Sequence, residues 1–326
     1  MTKPRTRVLL TRKLHEFVMT ELKRRYDVYV HSGTIPMPKG KLLSKIGQVD
    51  GLICFPYDTI DDEIIANAKK LRVISTYSVG YDHIDLQKAK SRKIKIGYTP
   101  DVLTNATADL AVALLLDSMR RVTEGDRIIR SGNWKAVFGP HEYVGTDLEG
   151  KTIGILGMGR IGRAVAKRIR PFGMDITYHT RNRLPENEEK RLGARYVSLD
   201  ELFEKSDAVT IHIPYTKDTH GIVNARLLKK MKKTSHLINT SRGKILNEKD
   251  LIKALKTNSI AGAALDVFEN EPIGKDHELV KMKNVVLAPH IGSSTAETRK
   301  KMAEITMKNL IYGLDGRKMI YSVDAN

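Results

Sequence analysis

Short apolar runs rich in β-branched residues alternate along the first hundred residues with segments whose apolar positions recur every three or four residues. Val8–Leu10, Val28–Val30, Gly51–Phe55, Val73–Ser75 and Ile94–Gly97 read as strands separated by amphipathic stretches. Such alternation predicts a parallel α/β sheet. In Asn105–Arg121, rich in Ala and Leu, residues Ala106, Leu110, Ala113, Leu114 and Asp117 share a helical face, and a mostly buried helix bridging two domains is expected. From Lys151 the alternation restarts, with Thr152–Leu156, Asp175–His179, Ala208–Ile211, His236–Asn239, Ala261–Leu265 and Val285–Leu287 as strands. Thr295–Tyr312 then places Ala303, Ile305, Thr306, Leu310 and Ile311 at helical spacing and is expected to return to the first domain. The fold class is therefore α/β, with two doubly wound parallel-sheet domains.

Composition narrows the function classes. With 326 residues, 41% apolar and 29% charged, the chain is an ordinary globular one, long enough for more than one core, and neither disordered nor collagen-like. The longest strongly apolar stretch, Leu110–Leu116, falls far short of the roughly 20 residues that cross a bilayer. The basic start Met1–Arg7 leads into a three-residue apolar run, so neither a membrane span nor a secretory signal is expected. The single cysteine, Cys54, is expected to be a buried inert thiol, and this usage suits a reducing cytoplasm. Lys and Arg total 56 against 38 Asp and Glu, a formal net charge of +18 that raises nucleic acid as a partner. Yet the basic residues form short dispersed clusters, such as Lys229–Lys233 and Arg299–Lys301, without zinc-ligand spacing or an aromatic RNA-binding signature. Specific nucleic-acid binding is disfavoured; a basic solvated surface attracting anionic metabolites is expected.

Chemistry enters where strand Thr152–Leu156 runs directly into Gly157-Met-Gly-Arg-Ile-Gly162 and a helix-like Arg163–Ile169. In that context Gly-x-Gly-x-x-Gly marks a dinucleotide site. Gly157 permits the sharp turn, Gly159 lets the backbone approach a pyrophosphate, and Gly162 allows close helix–strand packing, while N–H groups at Arg160 and Ile161 open the helix toward the anion. An acidic residue at the end of the next strand would favour NAD(H) by pairing with the ribose hydroxyls. That position, eighteen residues past the third glycine, holds Thr180, followed by Arg181, Asn182 and Arg183, and no carboxylate appears before Glu186. Missing repulsion and added guanidinium groups favour NADP(H), with NAD(H) a possible second cofactor and a plain solvated arginine cluster the alternative.

Three further segments, Ile238–Gly243, Leu265–Pro272 and Ala288–Gly292, follow strands, at the carboxyl ends where open α/β sheets bind ligands. They offer a cation for a carboxylate, a carboxylate for an imidazole, and a titratable imidazole, the groups needed to reduce a 2-keto acid. From Ser78-Val-Gly-Tyr-Asp-His-Ile-Asp85 through the glycine loop to Pro289-His-Ile-Gly292, the chain resembles the D-isomer-specific 2-hydroxyacid dehydrogenase family over almost its whole length, and is most similar to its glyoxylate/hydroxypyruvate reductase branch.

The resemblance implies a flavodoxin-like substrate domain at 1–102, a Rossmann cofactor domain at 103–291 inserted into it, and a C-terminal helix at 292–326 that returns to the first domain, with the active site in a cleft. It implies that Arg242 holds the substrate carboxylate and carbonyl, that His290 donates the proton, and that Glu271 pairs with His290. Glu269 competes for the last role, but the family's acid immediately precedes proline, which selects Glu271 and leaves Glu269 as an exposed turn carboxylate. Ser78, Val79 and Gly80 resemble the substrate-carboxylate loop. Asp266 resembles the acceptor of the nicotinamide carboxamide, with Thr240, Ser241 and Gly292 near the same ring; His212 and Pro214 pass under the adenosine side; and Thr107 is a cofactor contact or merely a helix cap. His83 and His179 read as structural. The branch presents a tryptophan to its partner subunit, but the residues around Trp134 depart from that pattern and favour local packing. A homodimer formed through the cofactor domain is expected. NADPH-preferring reduction of glyoxylate or hydroxypyruvate is the function implied, with 3-phosphoglycerate dehydrogenase or a dinucleotide-sensing corepressor as alternatives.

Overall fold

Strands form where β-branched runs end in a polar residue that captures a backbone group, and helices start where an Asp, Asn, Ser or Thr supplies the first N–H acceptor. The computed structural model describes residues 5–33 and 36–323; the first four residues of the basic start, and the outermost ends of the boundaries expected at 1 and 326, lie outside the described residues. One compact unit runs to Leu103 and resumes at Ser294, and the other is Thr104–Ser293.

The first unit contains β1 (Arg7–Leu10), α1 (Glu16–Arg25), β2 (Asp27–Val30), α2 (Lys39–Ile46), β3 (Gly51–Cys54), α3 (Asp62–Asn67), β4 (Val73–Thr76), α4 (Leu86–Ser91) and β5 (Lys95–Gly97). Its sheet order is β2-β1-β3-β4-β5, parallel throughout. Every residue of β3 and β4 is buried, as central strands of a sheet covered on both faces must be. β3 stops one residue before the sequence expectation because the Phe55 N–H leaves the ladder and donates to Asp58 Oδ2, 2.8 Å away. Cys54 is fully buried, and burial pushes its thiol pKa up. Asp61 and Asp85 cap α3 and α4 by accepting the N–H groups of Ile64 and Lys88.

The second unit opens with α5 (Thr104–Arg120) and α6 (Val122–Arg130) and continues through β6 (Thr152–Leu156), α7 (Arg160–Ile169), β7 (Asp175–His179), α8 (Glu186–Leu192), β8 (Ala194–Tyr196), α9 (Leu199–Lys205) and β9 (Ala208–Ile211). It closes with α10 (Ala225–Leu228), β10 (His236–Asn239), α11 (Glu248–Lys256), β11 (Gly262–Leu265) and β12 (Val285–Leu287). Its order is β12-β11-β10-β9-β6-β7-β8, again parallel, so the direction of winding reverses between β6 and β9 and the ligand crevice is expected beyond their carboxyl ends. The last helix, α12 (Ala296–Leu314), belongs to the first unit. Thr295 caps it, Ser75 Oγ donates to Thr306 O at 2.8 Å, and the buried Asn309 donates to Tyr98 O at 3.0 Å, fixing the helix across β4 and the end of β5.

Three expectations need correction. β8, only Ala-Arg-Tyr, is an additional strand whose brevity hides any period. The buried stripe of α5 runs through Ala108, Ala111, Val112, Leu115 and Met119, while Ala113 is exposed; in a helix apolar nearly all round, periodicity cannot choose a face. Asp117 instead accepts the N–H and hydroxyl of Thr123 at 2.7 and 2.5 Å at the start of α6. Trp134 does not pack locally: it is 57% exposed, beyond a helix α6 with no buried residue. No helix among the described residues is long and apolar enough to cross a membrane.

Candidate active site

At the carboxyl end of β6 the chain must turn back over the sheet, and only glycine fits. Gly157 has φ +101°, its N–H donates to His179 O at 2.8 Å, and a Cβ there would lie 2.7 Å from the His212 carbonyl carbon. At Gly162 a Cβ would lie 2.1 Å from the Gly157 oxygen, so α7 packs directly on the turn. Gly159 is the opposite case: it precedes α7 in extended conformation, no side chain caps the helix, and the space a Cβ would take is open. The helix thus starts at Arg160 and Ile161 without a side-chain cap, directly after a glycine whose missing side chain leaves the backbone accessible, as a pyrophosphate requires.

Beyond β7, Thr180 is half-buried, whereas Arg181, Asn182 and Arg183 are exposed. Arg181 has no ion pair among the described residues. Arg183, expected as one of two phosphate-binding guanidiniums, makes a bidentate pair with Glu189, Nε–Oε1 2.9 Å and Nη2–Oε2 2.8 Å. The first carboxylate of the segment, Glu186, pairs with Lys190. His179 is structural, its Nδ1 2.9 Å from Val197 O.

Beyond β9, His212 Nε2 lies 2.9 Å from Thr210 Oγ1 while Nδ1 is buried with no hydrogen-bond partner. Although part of the residue is exposed, enclosure of the ring pulls its pKa down to about 3, so the imidazole is neutral. Pro214 is exposed, and the preceding Ile213 carbonyl accepts the Ser241 hydroxyl at 2.5 Å.

Beyond β10, the buried Asn239 forms the next turn: its Oδ1 accepts the Ser241 N–H at 3.0 Å and its Nδ2 donates to Arg242 O at 3.0 Å. Sequence reasoning passed over Asn239, although an Asn at a strand end is a recognisable turn signal. Thr240 is buried, with its Oγ1 lacking a hydrogen-bond partner. Arg242 is half-exposed and donates from Nη1 to Ser241 O at 2.8 Å. Gly243 then passes so near the Phe268–Glu269 backbone that a Cβ would sit 1.9 Å from Phe268 C. The Arg242 turn and the segment carrying Glu271 are thus in contact.

Beyond β11, Asp266 is wholly buried; its two oxygens accept the N–H groups of Ile291 and Gly292 at 2.7 and 2.8 Å. Burial pushes its pKa up, opposed by these N–H groups and by His290. His290 stands between β12 and those two residues with φ +54°, a left-handed conformation unusual for a non-glycine residue. Its Nδ1 lies 2.7 Å from Glu271 Oε2, and Glu271 Oε1 accepts the Phe268 N–H at 2.9 Å. The carboxylate meeting His290 is therefore that of Glu271. Glu269 is half-exposed, and its N–H donates to Glu248 Oε2 at 3.2 Å. Thr107, buried near the start of α5, donates to Gly292 O at 3.2 Å, which brings two expected cofactor contacts together.

In the first unit, Ser78 is buried and Val79 and Gly80 are half-exposed; Ser78 Oγ donates to Gly80 O at 2.5 Å and its carbonyl accepts the Thr99 N–H. His83 Nε2 lies 3.0 Å from Thr76 Oγ1, a structural position under the same loop.

A nicotinamide dinucleotide fits the second unit on two counts: the open backbone at Gly159 and the unpartnered buried Thr240 Oγ1. Residues 112–292 match the family described as D-isomer specific 2-hydroxyacid dehydrogenase, NAD binding domain. The chain is 48% identical over 308 residues to a glyoxylate reductase of Thermococcus litoralis, covering 94% of this chain and 92% of that one. Among solved structures, the TT0316 protein of Thermus thermophilus superposes with a TM-score of 0.90 at 44% identity, covering 98% of this chain and all of that one. An NADPH-dependent glyoxylate/hydroxypyruvate reductase of Sinorhizobium meliloti, solved with NADP and malonate, gives a TM-score of 0.86 at 30% identity, covering 99% and 98%. With its glycine cradle, histidine–glutamate pair and inserted parallel sheet, the chain belongs to the D-isomer-specific 2-hydroxyacid dehydrogenase family and is an NAD(P)-dependent dehydrogenase.

Proposed function

We propose that this chain is an NADPH-preferring reductase that converts a small 2-keto acid, glyoxylate or hydroxypyruvate, to the corresponding 2-hydroxy acid, the D isomer in the case of hydroxypyruvate. The observation carrying this reading is the His290–Glu271 pair at 2.7 Å, on a loop clamped by Asp266 and in a segment touching the Arg242 turn. When bound, the nicotinamide dinucleotide supplies the hydride. Gly157, Gly159, Gly162 and the first N–H groups of α7 would hold its pyrophosphate, and Thr180 to Arg183 would flank the ribose 2′ position. His212 and Pro214 would lie along the adenosine side, with Thr107, Thr240, Ser241, Asp266 and Gly292 on the nicotinamide side.

Protonated His290 gives up its proton from Nε2 as the substrate carbonyl oxygen gains negative charge, while Glu271 at Nδ1 orients the ring and stabilises the imidazolium. Arg242 pairs with the substrate carboxylate through its planar fork and polarises the carbonyl. The N–H groups of Val79 and Gly80, in a loop shaped by Ser78, are donors suited to a substrate carboxylate. A steady-state assay of NADPH and NADH against glyoxylate, hydroxypyruvate, pyruvate and 3-phosphohydroxypyruvate tests the reading. Rapid NADPH oxidation with either of the first two acids is expected. Turnover only with NADH and the phosphorylated acid would replace the proposal with 3-phosphoglycerate dehydrogenase, and tight dinucleotide binding without turnover would replace it with a corepressor-like sensor.

A second copy of the chain is the proposed partner. Val122, Ile129, Trp134, Val137, Phe138 and Val144 are 46–89% exposed within one short stretch of the second unit, and exposed large apolar side chains gathered along one stretch suit a protein partner. Sedimentation is expected to give the mass of a dimer, and Val137→Glu with Phe138→Glu that of a monomer.

A further inference from the structure

The loop after β7 carries two guanidiniums, and the structure engages them differently. Glu189, on α8, holds Arg183 bidentately and also accepts the Tyr178 hydroxyl at 2.5 Å; that hydroxyl oxygen in turn accepts the Leu184 N–H at 2.9 Å. Tyr178 is fully buried on β7, and its ring meets Tyr196 of β8 edge-on at 5.4 Å; the Arg183 guanidinium lies 5.7 Å from the same Tyr196 ring. One carboxylate therefore ties β7, the end of the loop and α8 together. The Glu189 side chain is only 9% exposed, and Arg183, then Tyr178, pull its pKa down to about 2, so it is ionised throughout the neutral range. Burial, then Glu189, pushes Tyr178 up to about 12, so the phenol keeps its proton. Arg181, two residues before Arg183, is exposed and outside this network.

An anion arriving at the loop meets two unequal cations. The charge of Arg183 is already balanced, and the Nε and Nη2 donors that a phosphate would use are turned toward Glu189. That of Arg181 is not balanced. We propose that Glu189 is a positioning residue for dinucleotide selectivity: by neutralising Arg183 and fastening residues 183–184 to Tyr178, it leaves Arg181 as the guanidinium that reads a 2′-phosphate. This rests on the reading that the loop flanks the adenosine ribose of an NADPH-preferring enzyme. It goes beyond that reading in dividing the two arginines between recognition and support, and in giving a carboxylate that touches no ligand control over the preference.

The test is equilibrium binding of NADPH and NADH, followed by nicotinamide fluorescence without substrate, for the intact chain and four variants. The quantity read is the ratio of the NADH to the NADPH dissociation constant. Arg181→Ala is expected to lower it by roughly tenfold or more through NADPH alone, the loss of one charged hydrogen-bonding group. Arg183→Ala is expected to shift both constants together and leave the ratio within about twofold. Glu189→Gln releases an unbalanced guanidinium beside the phosphate and should raise the ratio several-fold. Tyr178→Phe keeps the buried ring, removes only the hydroxyl, and should move the ratio the same way by less, so the test does not depend on one variant folding. A ratio at or below one in the unmodified chain would remove the NADPH reading itself. A ratio above one that Arg183→Ala collapses as far as Arg181→Ala, or that Glu189→Gln and Tyr178→Phe leave unmoved, would overturn the division of labour and leave the cofactor reading standing.

Discussion

The second unit contains two histidine–glutamate pairs of similar form. His290 Nδ1 meets Glu271 at 2.7 Å and His277 Nε2 meets Glu248 at 3.1 Å, and in both the side chains are largely buried. Their surroundings differ. His277 Nδ1 also faces the Leu279 N–H at 3.4 Å, so it acts as an acceptor and the ring proton sits on Nε2 toward Glu248. The other Glu248 oxygen accepts the Glu269 N–H, and the whole arrangement fastens α11 to the loop after β11. His290 instead sits on a left-handed backbone at the carboxyl end of the sheet, with Glu271 at Nδ1 and the next two N–H groups anchored on Asp266. Proximity of the two side chains is thus the same in a fastener and in the proposed proton donor. What separates them is the left-handed backbone at His290 and the edge of the sheet on which the ring stands.

The largest effect expected follows from that contrast. His290→Gln should lower kcat by about 10²–10⁴ with dinucleotide binding unchanged, whereas His277→Gln should leave kcat within about twofold, as removal of a general acid and of a fastener respectively would do. Steady-state kinetics with fluorescence titration checks this, and equal losses in the two variants would break the comparison. Glu271→Gln keeps an acceptor for the Phe268 N–H but removes the charge beside the imidazolium. A drop in kcat of about ten- to a hundredfold is expected, against none for Glu248→Gln, and single-turnover measurements separate this from product release. His277→Gln should show instead as lost stability of about 1 kcal/mol in urea unfolding, the scale of one hydrogen bond.

A further effect, on stability against pH rather than on turnover, concerns a third histidine. His236 is buried with Nδ1 2.7 Å from Ser118 Oγ, and burial pulls its pKa down to about 4. The unfolded chain takes up a proton at this residue as pH falls through about 6.5, while the folded chain does so only near 4. Its contribution is therefore complete above about pH 6.5 and is lost as pH falls toward 4. Urea midpoints at pH 7.5, 5.5 and 4.5 should converge in part in His236→Gln, and an unchanged slope would show that this imidazole is not the group responsible.

Much of this is legible in the sequence. The bounds of β6, β7, β9, β10 and β12 coincide with apolar runs between turn residues, because parallel strands buried over most or part of their length leave a nearly continuous hydrophobic signature. The choice of Glu271 over Glu269 rested on its place before proline, and the structure sets Glu271 against His290. Illegible features arise from packing between segments. Ala194–Tyr196 is too short to show a period, and α5 is too uniformly apolar to reveal its buried face. The engagement of Arg183 depends on a Glu six residues later and a Tyr five residues earlier, brought together by a strand, a loop and a helix. Likewise the orphaned hydroxyl of Thr240 and the turn held by Asn239 follow from strand register, which residue spacing does not express.

The hydrogen bond from Thr107 to the Gly292 carbonyl joins residues 185 positions apart, one beside each end of the second unit. The ends of nearly two hundred residues are thereby held side by side. To the polypeptide that carries it, such a module resembles a hairpin bend more than a long excursion, since the entropy of closing a loop is removed once its ends are pinned by the module's own folding. Thr104–Ser293 can therefore be treated as a transplantable cassette, one that evolution or a protein engineer can exchange while asking of the recipient fold only two neighbouring points of attachment.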